Sequence, residues 1–156
     1  MKWSLIGCGG AIAIFVVALV IGYALVGRAV QQERDNLVAR YKSQGYREIQ
    51  GNHEGRINIT DPIKGKTVLN ANWISVHADS DSDLAIIGID CSLDSTVNGN
   101  LFFHIGQLRI GPDGAVLGNL EVDCRKVIVD GYIQGQIKGH HSYLEDANRK
   151  DKFSPK

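Results

Sequence analysis

The chain has 156 residues, equal numbers of acidic and basic side chains, and three cysteines. That length leaves room for one compact core and no second. Balanced charge without a basic patch excludes a nucleic-acid binder, and Cys8, Cys91 and Cys124 are too few and too scattered for a disulfide framework.

From Trp3 to Gly27 the chain runs for twenty-five residues without a charged side chain. About twenty apolar residues suffice to cross the hydrocarbon core of a bilayer, so residues 1–27 are expected to form a transmembrane helix. The run exceeds the apolar region of a cleaved signal, typically about 7–15 residues. Trp3 and Tyr23 stand near its ends, where interface anchors belong. Arg28, Arg34, Arg40, Lys42 and Arg47 follow the run and only Lys2 precedes it. The excess of positive charge marks the cytoplasmic side, which predicts a single-pass protein of the cell inner membrane with its soluble domain in the cytoplasm. Inside the run, Gly9 with Ala13 and Ala18 with Gly22 are small-residue pairs at the spacing that seats helix dimers.

Residues 28–45 read as a helical stalk. Ala29 to Ser43 contains neither Pro nor Gly, and Gly45 stands where a helix would end.

Residues 46–139 carry the main pattern. A pentad of aliphatic, any residue, Gly, amide and aliphatic appears at Val97–Leu101, Val116–Leu120 and Ile133–Ile137, at intervals of nineteen and seventeen residues. Such a return marks a chain coiled into stacked rungs. Ile57-Asn58-Ile59 and Ile63 lie seventy residues before Val127-Ile128-Val129 and Ile133, about four turns of the same period. Between the corners, aliphatic and polar residues alternate as in strands with one buried face. The expected fold is therefore all-β: a short β-helix of about 17–19 residues per rung behind the membrane helix. Its core should hold Val97, Leu101, Leu108, Ile110, Val116, Leu120, Val127, Val129, Ile133 and Ile137. Asp79 to Asp83 breaks the pattern and predicts one disrupted rung. The last rung, Ile133 to Gly139, would present an open apolar slice, making Ile133 and Ile137 the candidate assembly interface. Residues 140–156 are polar and read as a disordered tail.

The V-x-G-x-[LI] repeats and the turn Leu108-Arg109-Ile110-Gly111-Pro112-Asp113-Gly114 resemble the bactofilins, the polymer-forming bacterial cytoskeletal proteins. The resemblance covers residues 57–139. It implies a right-handed, three-sided β-helix that polymerises end to end without nucleotide, lies against the membrane and scaffolds cell-envelope proteins. The expected partners are thus the bilayer, further copies of the chain and envelope proteins, with no enzymatic activity.

Two other readings compete. Ile110 to Val122 resembles the hexapeptide repeats of left-handed β-helix acyltransferases, in which His104 would be the candidate general base, but the six-residue phase lapses after two returns. A monomeric tethered solenoid that binds an envelope partner is the other. Asp79-Ser80-Asp81-Ser82-Asp83 opens like a calcium loop, yet Leu84 replaces the required Gly and Asp90 the required Glu, which favours a solvated turn. His140 and His141 have no companion ligands at zinc spacing. No metal or cofactor is expected.

Overall fold

A computed structural model describes residues 6–147, with side chains from residue 19 onward. The chain divides into two units, Met1–Leu37 and Val38–Lys156.

One helix, α1 (Ile6–Ser43), supplies the first unit and the start of the second. Among the described residues no helix is long and apolar enough to cross a membrane. Much of the span expected at residues 1–27 lies outside the residues whose side chains are described. In its described part, Leu19, Val20, Ile21, Tyr23, Leu25 and Val26 are all exposed.

The helix ends as Gly45 anticipates. Gly45 adopts φ +88°, a left-handed conformation that costs glycine nothing. The Gly45 N–H donates to the Lys42 carbonyl at 3.1 Å and the Tyr46 N–H reaches back to the Tyr41 carbonyl at 3.1 Å. This pair of bonds is the Schellman motif, and its usual apolar contact is present as an edge-to-face pair of Tyr41 and Tyr46 with centroids 5.0 Å apart. Arg40 and Lys42 place positive charge on the last turn, where the helix dipole favours it.

Among the described residues eleven strands follow: β1 (Arg47–Gln50), β2 (Arg56–Ile59), β3 (Thr67–Asn70), β4 (Trp73–Val76), β5 (Leu84–Leu93), β6 (Thr96–Val97), β7 (Leu101–Ile110), β8 (Ala115–Val116), β9 (Leu120–Val129), β10 (Tyr132–Ile133) and β11 (Ile137–Asp146). Every pairing is parallel. The first face stacks β1, β3 and the leading halves of β5, β7, β9 and β11, giving six rungs. The second stacks β2, β4 and the trailing halves of those four strands. A third, narrow face stacks Ile63, Ser80, β6, β8 and β10.

The period read from the sequence is the rung. Ile57, Ile74, Cys91, Leu108 and Val127 are successive partners in one inward column, so the seventy-residue offset is four turns. The pentads mark one corner: Val97, Val116 and Ile133 stack on the third face, and Leu101, Leu120 and Ile137 on the first. Between them Gly118 passes so close to Gly99 that a side chain would strike its carbonyl oxygen. Eight of the ten expected core residues are buried to within 1 % of complete, while Ile133 and Ile137 are half-buried.

Two expectations are corrected. The rung at Asp79–Asp83 is not disrupted: Ser80 takes the inward position between Ile63 and Val97, is 1 % exposed, and satisfies its hydroxyl on the Ser82 carbonyl at 3.1 Å. The polar tail does not begin at residue 140. β11 continues to Asp146 in register with β9, because a strand stacked on a finished rung gains its backbone bonds whatever its side chains. Residues 148–156 lie outside the described residues.

Outward positions of the first face carry a second apolar layer. Val68, Ala85 and Ile87 point away from the core yet are fully buried. They share columns with Phe102 and His104, against which the Tyr41 ring packs at 5.8 and 5.7 Å. Val38, Tyr41 and Tyr46, all under 8 % exposed, make the segment after Leu37 part of this layer.

Candidate assembly interface

A solenoid cannot pair the outer edge of its last rung with itself, so its ends are where unfilled bonding capacity collects. At the C-terminal end β11 is a ten-residue strand that, among the described residues, pairs with β9 on one side only. Ile133, Ile137 and Leu144 are half-buried there. At the N-terminal end the edge is divided between β1 and β2, four residues each. Ile49 and Ile59 are half-buried, whereas Ile57 and Ile63 are 7 % and 3 % exposed. The interface residues expected from sequence, Ile133 and Ile137, therefore do stand on the terminal rung, but that rung runs on through Leu144 to Asp146.

A polar column braces one corner between the ends. Lys66 Nζ lies 3.4 Å from Asp83 Oδ2, and Asp83 Oδ1 accepts the Asn100 N–H at 2.8 Å. Asn100 Oδ1 accepts the Asn119 N–H at 2.9 Å, and Asn119 Oδ1 accepts the Gln136 N–H at 3.0 Å. Each amide thus bonds the backbone of the next rung, which is why the pentad wants an amide after its glycine. The ladder begins at Tyr46, whose ring lies 5.6 Å from Lys66 Nζ. Burial first, then the charge and hydrogen bond of Asp83, push the Tyr46 phenol up to about 12.

The acidic run belongs to this bracing. Asp79 accepts the Thr96 N–H and Asp81 the Gly65 N–H, both at 2.7 Å, so with Asp83 the three carboxylates tie their rung to both neighbours. A carboxylate accepting backbone N–H groups is a strong, charge-assisted bond. The solvated-turn reading missed this because the partner N–H groups are about one turn away in sequence. Among the described residues no group of three or more potential ligands could hold a metal ion.

His104, the candidate base, accepts or donates through Nε2 a 2.7 Å hydrogen bond with the Tyr41 hydroxyl, which binds it into the outward apolar layer. Burial raises the Tyr41 phenol well above its usual range. Cys91 and Cys124 are free and buried. Burial raises both thiols, that of Cys124 to about 11, so neither is a ready nucleophile.

No protein-family model, curated protein or solved structure matches the chain.

Proposed function

We propose that this chain is a membrane-anchored, bactofilin-like scaffold whose β-helix associates end to end with further copies of itself and holds envelope proteins at the inner membrane. The carrying observation is the pair of stack ends, each with a strand edge that no other described strand pairs, beside half-buried isoleucines. Such edges call for a covering element or a partner. The hand of the coil is right, as parallel crossovers overwhelmingly are. The anchor reading rests on the uncharged run from Trp3 and on the exposed apolar side chains between Leu19 and Val26, which a bilayer would cover. No catalytic role is assigned to His104, since its Nε2 is engaged by a buried tyrosine.

The test is fractionation followed by sedimentation. The full chain should pellet with membranes through a high-salt wash, and the chain lacking residues 1–27 should be soluble and sediment as more than a monomer. A truncated chain that still pellets with washed membranes places the tether elsewhere. One that is monomeric at every concentration removes self-association and leaves the tethered monomer.

A further inference from the structure

The last rung and the first are built to one plan. Inside the chain the ten-residue β5 pairs two four-residue strands at once, β3 along its leading half and β4 along its trailing half. At the ends of the stack stand the same parts: the ten-residue β11 at one, the four-residue β1 and β2 at the other. The register runs unbroken between them, so it fixes which residue of one copy would lie over which residue of the next.

Along those columns the two surfaces fit. In the interior Leu144 meets Ile57 and Ile133 meets Ile63, aliphatic on aliphatic. Gly139 meets Ile49, and His141 meets Gly51, the residue one step beyond β1 whose N–H donates to the Asn70 carbonyl. A position without a side chain thus faces a large one in both directions, which is how packed layers interdigitate. Ile137 meets Arg47, whose exposed side chain can lay its stem on the isoleucine and keep its guanidinium in water. Asp146 meets Ile59, so each copy brings one charge to the inner columns, and the two are of opposite sign. Outside, Lys138 meets Glu48, and Tyr143 meets Arg56, a cation and ring pairing like the one Arg56 makes with Trp73 at 5.6 Å within one copy. No column opposes like charges.

We propose that copies associate head to tail, β11 of one copy stacking in parallel register on β1 and β2 of the next, so that the solenoid continues across the junction. The inference rests on the end-to-end reading above and adds its polarity. A contact of this kind is heterologous, since each copy contributes a different surface at each end. It leaves the outer ends open to further copies, and the product is a polar chain with no fixed stopping number.

Stacking brings Glu48 of one copy and Lys138 of the next to the spacing of neighbouring strands, about 4.8 Å, which a disulfide can bridge. The experiment uses the full chain in detergent with Cys8→Ser, and with Cys91 and Cys124 left in place because both are buried. Glu48→Cys and Lys138→Cys are made singly and together, each checked for a β-rich circular dichroism spectrum. Under mild oxidation the double variant should run as a ladder of dimers, trimers and longer multimers on a non-reducing denaturing gel. Each single variant should stay monomeric, and an equal mixture of the two should give dimers and nothing longer. Dimers from either single variant alone would show like ends meeting, which overturns the polarity and preserves end-to-end association. A double variant without cross-links, when the parent chain sediments as an assembly, would overturn the head-to-tail junction and leave association to another surface. The same result with a monomeric parent chain would overturn both readings.

Discussion

Asn119 and Val129 occupy the same rung and answer to different forces. Val129 is 1 % exposed in a column that is apolar from Ile59 to Ile110 on one side and meets Asp146 on the other, so Val129→Asp buries a carboxylate among aliphatic groups and beside a like charge, and should unfold the domain or cost several kcal/mol in denaturant titrations. Asn119 contributes an acceptor to the Gln136 N–H, and aspartate keeps that oxygen. Asn119→Asp should therefore shift stability by only about 0.5 kcal/mol. Asp83 carries more, because it holds the Asn100 backbone and side chain and faces Lys66. Asp83→Ala should cost about 1–3 kcal/mol, the range for leaving hydrogen-bonding groups unsatisfied. Equal losses for Val129→Asp and Asn119→Asp would contradict the column register.

At the scale of elements, the end of α1 is fastened to the first face by Gly45, Tyr41 and Tyr46. A side chain at Gly45 meets nothing within 4 Å, so Gly45→Ala should cost about 1 kcal/mol through its φ of +88° alone. Tyr41→Phe removes the bond to His104 and should cost about 1 kcal/mol with an unchanged circular dichroism spectrum. Both phenols are held above their usual range in the folded chain. Their contribution is complete below the unfolded tyrosine value of about 10 and is lost as pH rises through the folded value, which for Tyr46 is about 12. Stability should thus decline between about pH 10 and 12. Tyr46→Phe should flatten that decline in a pH series of thermal melts.

For the whole molecule, the compact unit that holds the β-helix begins before its first strand. Val38 and Tyr41 belong to the compact unit and are buried in it, although both lie in α1. A chain starting at residue 46 would lose them from the layer that includes Val68, Ala85 and Ile87. An apolar outward patch of that kind invites association through the side of the solenoid. Residues 46–156 should accordingly bind a hydrophobic dye and aggregate more than residues 38–156. Equal dye binding by the two would show that the helix end is dispensable.

The rung period, the inward columns and the helix stop at Gly45 were legible because each depends on local chemistry repeated along the chain: aliphatics at alternate positions, glycine where backbones nearly touch, an amide beside it. Only tertiary structure decided that Ser80 could stand inside the core, since its hydroxyl is satisfied by a carbonyl two residues on within a folded turn. The same holds for Asp79, Asp81 and Asp83, whose partners are about seventeen residues away and cannot be read from composition. The sixth rung was hidden because Gly139, His141 and Asp146 interrupt its apolar alternation. Its strand is held by backbone bonds to β9, and those are blind to side-chain identity. Hydrophobic pattern reports what must leave water, while the end of a stack is set by where the backbone ceases to find a partner.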